Sequence, residues 1–303
     1  MSELALLLAV ALVLDAAFGE PDWLWSRLMH PAVAIGRAIG SADSRFNTGD
    51  RRRTKGTVLV VALVVSALII GALISAIGDI ATVAGTAILL AHRSLTDHVR
   101  DVAKALRSGL PQGRTSVSRI VGRDTSELDQ TGVARGAIES AAENFSDGVV
   151  APAFWFLVLG PPGILAYKAI NTADSMIGYR TERHAEFGWA AARLDDLINW
   201  VPARIAALLI CLGTGKLGQW SLVRRDAPQH RSPNAGWPEA AMAVAIDVAL
   251  AGPRVYSGER KDYPVVHPEG TRDIGAGEID KAVSVLWRGW GTLLAVCCLL
   301  ALI

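Results

Sequence analysis

The sequence predicts an all-α fold: a polytopic helical integral membrane protein with re-entrant or broken helices and a polar site that faces the cytoplasm. Of its 303 residues, 51% are hydrophobic and 19% are charged, and the mean hydropathy is +0.33. This composition is more apolar than that of an ordinary soluble domain and more charged than that of a simple bundle of spanning helices. Several apolar stretches approach the roughly 20 residues that a helix needs to cross a bilayer. We therefore expect membrane helices joined by sizeable aqueous segments.

The spans are expected within one domain, 1–303, at 4–18, 57–77, 78–91, 149–170, 200–217 and 283–303. The fourth is interrupted by Gly160-Pro161-Pro162-Gly163, which a straight helix does not accommodate. Most Lys and Arg residues lie in four other segments, and the positive-inside rule places these on the cytoplasmic side: 19–56, 92–148, 171–199 and 219–282. Segments 149–170 and 200–217 must then return to the side that they left. The Pro- and Gly-rich segment 219–282 is predicted to be irregular and to fold over the site.

Charge and cysteine usage exclude several classes of function. The net charge is only +1, whereas nucleic-acid-binding proteins usually carry a basic patch or a high pI, so no nucleic-acid partner is expected. Cys211, Cys297 and Cys298 lie in apolar runs and form neither a metal motif nor a disulfide framework. The N-terminal apolar segment lacks a basic region and carries Glu3, which favours a retained helix over a signal peptide.

A glycine-rich hexad at 213–218 matches G-x-G-x-x-G but does not predict a nucleotide site. A dinucleotide-binding motif follows a strand within a βαβ unit, whereas this hexad follows an apolar helix. As a phosphate-binding loop it also fails, because Ile210 and Leu217 stand where Gly and Ser or Thr are needed. Any use of ATP must therefore come from another kind of site.

The first polar stretch is predicted as a helix over 133–147. Arg135, Glu139, Glu143 and Asp147 recur every four residues and drift by only about 40° per step, so they form one stripe. Three acids on one stripe repel each other unless a cation lies among them. The alternative is a solvated acidic face with Arg135 as its partner, but Asn144 beside the stripe and the membrane segment that follows favour a site. The predicted packing face consists of Ala137, Ile138, Ala141, Ala142 and Phe145.

Two further polar stretches flank the predicted spans. The first places Lys168, Asn171 and Asp174 at i, i+3 and i+6, followed by Arg180 and Arg183; the second places Asp195 and Asn199 at i and i+4, flanked by Arg193 and Asp196. Carboxylate and amide oxygens are ligands that Mg²⁺ prefers, and clustered arginines bind phosphate or carboxylate. The alternative is that Asp196–Arg193 and Asp174–Arg180 are structural ion pairs. A polar cluster of this size is costly beside lipid unless it lines a water-filled site.

Weaker signals come from single residues. His30, before Pro31, is a candidate for substrate contact, although a histidine at a membrane boundary is more often structural. The run 230–240 contains a turn, Trp237 and a helix start at Pro238-Glu239. Asn234 and Glu239 would face whatever this segment covers.

Four motifs carry a family resemblance. They are ARGAIESAAENFSDGVVAP at 134–152, YKAINTADSMIGYRTER at 167–183, FGWAAARLDDLINWVPAR at 187–204 and SPNAGWPEAAMA at 232–243. All four resemble the CobD/CbiB family of cobalamin biosynthesis proteins, the membrane-bound adenosylcobinamide-phosphate synthases. The similarity runs from about residue 10 to about residue 290, and these motifs are long and specific.

The resemblance implies an enzyme that forms a carbon–nitrogen bond late in vitamin B12 assembly. Its substrates would be the corrinoid adenosylcobyric acid and aminopropanol or aminopropanol phosphate, joined as an amide at a propionate carboxylate, with ATP as cosubstrate and Mg²⁺ as cofactor. Its location would be the inner cell membrane, with several spans in the lipid bilayer. Self-association and contact with other corrinoid enzymes are left open.

Residue roles follow as hypotheses. The catalytic candidates are Glu139, Glu143, Asn144, Asp147, Asp174 and Asp195. The metal candidates are Glu143, Asp147, Asp174 and Asp196. The candidates for binding substrate or phosphate are Arg135, Lys168, Asn171, Arg180, Arg183, Arg193, Asn199, His30, Asn234 and Glu239. The alternative functions are a transporter, which should show repeat symmetry and polar groups at mid-span, and a non-catalytic membrane sensor or scaffold related to this family.

Overall fold

Helices make up nearly all of the regular structure. The computed structural model describes residues 2–122, 124–252, 254–256, 259–261 and 264–303. The helices are α1 Ser2–Phe18, α2 Asp22–Trp25, α3 Pro31–Phe46, α4 Arg52–Ile77, α5 Asp79–Leu89, α6 His92–Ser108, α7 Leu110–Val117, α8 Gln130–Phe145, α9 Ala151–Leu159, α10 Pro161–Ile177, α11 Trp189–Ile198, α12 Trp200–Gly213, α13 Trp220–Asp226, α14 Gly236–Ile246 and α15 Ala276–Ala301. A π-helical turn spans Ser146–Val150, and 3₁₀ turns span Leu217–Gln219 and Ala227–Gln229. The predicted helical fold is thus confirmed for most of the chain.

Four short strands are the exception to the helical prediction. They are β1 Leu250–Ala251, β2 Arg254–Tyr256, β3 Glu259–Lys261 and β4 Val265–Val266. β1 pairs with β4 and β2 pairs with β3, both antiparallel. These pairs lie within the Pro- and Gly-rich segment that was predicted to be irregular.

The chain divides into two compact units. Unit 1 consists of Met1–Ala91, Ala151–Trp200 and Cys297–Ile303, and unit 2 consists of His92–Val150 and Val201–Val296.

Unit 1 is built on close packing of α4 against α10. A Cβ atom added to Gly71 on α4 would lie 2.4 Å from the backbone nitrogen of Pro162, so only glycine permits this approach. Near the N-terminal end of α4, a Cβ on Gly56 would lie 1.8 Å from the carbonyl oxygen of Phe187. The adjoining apolar core brings together α3, α4, α10 and α11 through Ile39, Val60, Ala173, Ile177, Phe187 and Ala191.

In unit 2, the central helix is α8, which packs against α6, α7 and α14. The five residues predicted as the packing face of α8 are all fully buried, which confirms that prediction. His92, at the start of α6, is enclosed by the rings of Phe145, Trp287 and Trp290. Burial lowers the pKa of this histidine to about 3, so it is a neutral packing residue.

The span prediction is only partly supported. Within the described residues, α4 and α15 are each long and apolar enough to cross a membrane, and a third span results if α11 and α12 form one broken span. The predicted span 78–91 corresponds to α5, which has only 11 residues. The predicted break in 149–170 is present at Gly160, which has a φ of +66° and separates α9 from α10. The side of the membrane that each segment faces stays a prediction.

The segments predicted to lie on the cytoplasmic side contain several helices. Segment 92–148 forms α6, α7 and α8, and segment 219–282 contains α13 and α14. Pro238 does not interrupt α14, because it lies in the first turn, where a backbone N–H has no partner within the helix. The prediction of a helix start at Pro238-Glu239 is therefore nearly right, since α14 begins two residues earlier.

The glycine hexad forms a helix end. The amide of Lys216 donates to the carbonyl of Cys211 at 2.8 Å, and the amide of Gly215 donates to the carbonyl of Leu212 at 3.1 Å. With Gly215 at a φ of +71°, this is the hydrogen-bond pattern of a Schellman cap. The hexad thus has a structural explanation at the end of α12.

Candidate functional site

The largest group of predicted site residues in unit 1 lies where α11 packs against the C-terminal end of α10. A Cβ on Gly188 would lie 1.6 Å from the carbonyl oxygen of Ile177, and one on Gly178 would lie 1.9 Å from Oδ1 of Asp174. Gly188 therefore lets the segment before α11 approach the last turn of α10, and Gly178 leaves room for the side chain of Asp174. The approach places the polar stripe of α10 against that of α11.

Amide side chains connect the two stripes. The Nδ2 of Asn171 on α10 donates to Oδ1 of Asp195 on α11 at 3.3 Å. One turn away, the hydroxyl of Tyr167 donates to Oδ1 of Asn199 at 3.1 Å, and both residues are buried. Asp174 completes the stripe on α10, and Asp196 lies next to Asp195. The structure thus brings together Asn171, Asp174, Asp195, Asp196 and Asn199, all of which the sequence predicted.

Three carboxylates, Asp174, Asp195 and Asp196, form what we call the aspartate cluster. They are close enough to influence one another electrostatically. Burial, and secondarily the charge of Asp196, raise the pKa of Asp174 to about 6. Among the described residues, no side chain offsets this shift with a hydrogen bond or a positive charge. The cluster is therefore a place where a cation would be stabilised.

The basic candidates in unit 1 differ in their surroundings. Arg193 lies 4.0 Å from Asp196 on the surface of α11, so one of the two structural ion pairs considered as an alternative is present. Arg183 instead contacts Asp43, with its Nη2 2.6 Å from Oδ2, and Asp43 also lies 3.4 Å from Nε2 of His184. Phosphate binding by Arg183 would have to compete with this pair. Arg180 is exposed, and Lys168 is half-buried on α10.

The second group of predicted residues lies on α8 in unit 2. Glu139 is buried, and its Oε1 accepts a hydrogen bond from the amide of Ala251 at 2.8 Å. Glu143 and Asn144 are exposed, and Asp147 is half-buried. The prediction of one continuous stripe is therefore wrong in detail, because α8 ends at Phe145 and Asp147 lies in a wider π-helical turn, where the α-helical spacing no longer applies.

Two other candidates in unit 2, Glu239 and Asn234, are buried. Oε1 of Glu239 on α14 lies 3.7 Å from Nε2 of His230. Asn234 is also buried, and the amides of Asn234 and Ala235 donate to the hydroxyl of Ser232. Arg135 is half-buried on α8.

His30 has a structural explanation. Its Nδ1 accepts a hydrogen bond from the amide of Ala32 at 3.2 Å, which caps α3, and its ring packs edge-on against Trp25 with centroids 4.4 Å apart. Substrate contact by His30 stays a prediction.

Tyr167 and Ser140 are polar residues that the sequence reasoning missed. Tyr167 precedes Asn171 by four residues, so helical spacing alone could have placed it on the stripe. The hydroxyl of Ser140 donates to the carbonyl of Ile120 at 2.6 Å, and the side-chain Nδ2 of Asn144 donates to the carbonyl of Ser140 at 2.9 Å. Ser140 and Ile120 are 20 residues apart in the sequence, so no local sequence pattern predicts this hydrogen bond.

A preformed metal cage is not observed. In the part of the chain that the structure describes, no three or more His, Cys, Asp or Glu side chains are grouped so as to hold a metal ion. The aspartate cluster can supply one or two carboxylates to a cation, with the remaining ligands coming from water or a substrate.

Comparison with known proteins identifies the family. The family model described as CobD/Cbib protein matches residues 8–286. A protein of Sinorhizobium fredii named cobalamin biosynthesis protein CobD is 47% identical over 318 residues, covering 99% of this chain and 98% of its own. Proteins of the same name from Brucella suis and Rhodobacter capsulatus are each 48% identical, covering 93% and 86% of this chain and 92% and 86% of their own. No solved structure matches. The chain belongs to the CobD/Cbib family.

Proposed function

We propose that this protein is an enzyme of cobalamin biosynthesis that joins aminopropanol, or aminopropanol phosphate, to a propionate carboxylate of adenosylcobyric acid. The product would be adenosylcobinamide or its phosphate. The observation that carries the proposal is the similarity to proteins named for cobalamin biosynthesis, which extends over 99% of this chain and 98% of the relative. The polar groups on α8, α10 and α11 lie in the motifs that carry this resemblance.

The chemistry requires activation of the acid. A carboxylate is a poor electrophile, because its oxygen is a poor leaving group. Attack of a carboxylate oxygen on the γ-phosphorus of ATP would release ADP and give an acyl phosphate. Attack of the amine on the acyl carbon would then form the amide and release phosphate, while the amine loses a proton. Such phosphoryl transfer depends on positioning and on charge stabilisation.

The aspartate cluster fits Mg²⁺ bound together with a nucleotide. Its carboxylates are hard oxygen donors, and Asp174 lies in a buried, negatively charged setting that favours a cation. Mg²⁺ usually takes one or two protein carboxylates plus substrate phosphates and water. When bound, Mg²⁺ would neutralise charge on the phosphates.

The remaining residues would orient the substrates. Asp174, Asp195 and Asp196 of unit 1 would hold the metal–nucleotide end. In unit 2, Glu143 and Asp147 stay candidates for metal binding. Lys168, Arg180, Arg193 and Arg135 would bind phosphates, because guanidinium and ammonium groups donate to phosphate oxygens. A carboxylate of the aspartate cluster would accept the proton that the amine releases. We also propose that the site faces the cytoplasm at the inner membrane.

The test is to prepare Asp174→Asn and Glu143→Gln separately and to measure cobinamide formation in membranes from adenosylcobyric acid, the amine, ATP and Mg²⁺. We expect each variant to lose most of its turnover. Asp101→Asn, on the exposed face of α6, is the matched control and should retain wild-type turnover. Near-normal turnover by both variants would contradict the residue assignment.

The function itself has a separate test. The wild-type protein should restore growth on cobyric acid to a strain that lacks its cobinamide-forming step. Absence of growth from a well-expressed protein would contradict the proposed reaction and would favour a transporter, sensor or scaffold.

A further inference from the structure

A group of basic residues surrounds the N-terminal end of α4. We call Arg45, Arg51, Arg52, Arg53 and Lys55 the basic collar. It begins in the last turn of α3, crosses the connection between the helices and ends in the first turn of α4. α4 is one of the two described helices that are individually long and apolar enough to cross a membrane.

Two members of the basic collar hold the connection together. The Nε of Arg52 donates to Oδ1 of Asn47 at 2.7 Å, and its guanidinium also contacts the carbonyl of Arg183. The Nζ of Lys55 donates to the carbonyl of Thr48 at 2.8 Å. Arg45, Arg51 and Arg53 are exposed. The connection is thus a fixed element that presents three guanidinium groups to its surroundings.

Arg53 is held in place by an aromatic ring. Its guanidinium carbon lies 3.7 Å from the ring centroid of Trp189, a residue that is itself 40% exposed. Stacking uses the face of the guanidinium and leaves its N–H groups free to donate to an anion in the ring plane. Trp beside Arg at the end of a span is typical of the depth of lipid headgroups.

The outer face of α4 extends from the basic collar as an apolar stripe. Val58, Val61 and Val65 are 63%, 56% and 49% exposed, and the packed face of the helix lies opposite, at Val60, Ala67 and Gly71. Arg51 immediately precedes α4, at the end of the helix from which this stripe extends. An acyl chain on the valines would carry its phosphate to this end of α4, where Arg51 precedes the helix and Arg53 reaches from the packed side, over Trp189.

We propose that the basic collar and the valine stripe bind an anionic phospholipid, with the headgroup phosphate at Arg51 and Arg53. Charge complementarity selects an anionic headgroup, and the adjoining apolar stripe selects a lipid over a free phosphate. The inference requires that α4 lies in a membrane. It does not depend on the proposed reaction.

The test uses the purified full-length chain in detergent and measures its thermal unfolding with added phosphatidylglycerol, phosphatidylcholine or inorganic phosphate. Phosphatidylglycerol should raise the midpoint of wild type well above the other two additives, and the increase should shrink as salt is added. The variant Arg51→Gln/Arg53→Gln should lose more than half of this increase. The control Lys104→Gln/Arg119→Gln removes two exposed charges elsewhere and should retain it.

The proposal is overturned if phosphatidylcholine or inorganic phosphate reproduces the increase, or if the double variant responds as wild type does. If the double variant does not fold, native mass spectrometry of wild type decides: preferential retention of phosphatidylglycerol over phosphatidylcholine supports the proposal, and equal retention rejects it. Because neither readout involves turnover, failure here is distinguishable from failure of the proposed reaction.

Discussion

Replacing Asp174 by Asn should stabilise the ligand-free protein while abolishing its activity. The folded-state pKa of Asp174 is raised to about 6 from 3.8, mainly by burial. Each unit of pKa shift is about 1.4 kcal/mol, so ionised Asp174 destabilises the fold by up to about 3 kcal/mol. Because the folded state holds the proton more tightly, this destabilisation is absent below pH 4 and develops as the pH rises to about 6. Asn keeps the shape of the side chain and cannot ionise.

The assay is thermal unfolding in detergent at pH 8 and at pH 4, without nucleotide or metal. At pH 8 the midpoint of Asp174→Asn should lie several degrees above wild type, at about 2–4 °C per kcal/mol, and at pH 4 the two should coincide. Asp101→Asn, an exposed substitution, should change neither value. Added Mg²⁺ should raise the midpoint of wild type more than that of the variant. A lower midpoint for Asp174→Asn at pH 8 would refute the reasoning.

Three further predictions concern the packing, the buried glutamate and the pH dependence. Gly188→Ala should lower the unfolding midpoint and the ligation rate, because its Cβ would lie 1.6 Å from the Ile177 carbonyl; Gly218→Ala, with open space around it, is the control, and equal midpoints would contradict the close-packing argument. Glu139→Ala should cost about 1–3 kcal/mol of stability, because it leaves the Ala251 amide without its buried acceptor; Glu139→Gln should retain most of that stability, and if both variants unfold alike the hydrogen bond is not responsible. The kcat/KM of ligation should fall as the pH is lowered through about 6, where Asp174 of the free enzyme becomes protonated; a profile that is flat from pH 5 to 8 would count against it.

The α10–α11 part of the candidate site was predictable because its determinants are local. The spacing of Asn171 and Asp174, and of Asp195 and Asn199, fixes which residues share a helix face, and the structure places the two faces together. Tyr167 lies four residues before Asn171 and obeys the same spacing, but the predicted stripe began one residue later, at Lys168.

Other features depend on partners that lie far away in the sequence. The residues next to Arg183 in the sequence led to the prediction that it binds phosphate. In the structure it pairs with Asp43, which is 140 residues away. The burial of Glu139 depends on Ala251, 112 residues away. Spacing within a segment carries no information about such partners. Hydropathy likewise does not specify where a helix ends, as the 11 residues of α5 illustrate.

The positions of the carboxylates in the aspartate cluster depend on two glycines, Gly178 and Gly188. A side chain at Gly188 would collide with the backbone of α10, and one at Gly178 would collide with Asp174. The approach of α11 and the placement of Asp174 therefore both depend on glycine. Asp174 is half-buried there beside another negative charge, and its ionised form destabilises the fold. Stability alone would favour an amide or an apolar residue at Asp174, because either would remove the buried charge. The unfavourable charge of Asp174 lies where two helices pack closely together. A cation or a cationic substrate that occupies the cluster during function would explain why an aspartate is present there.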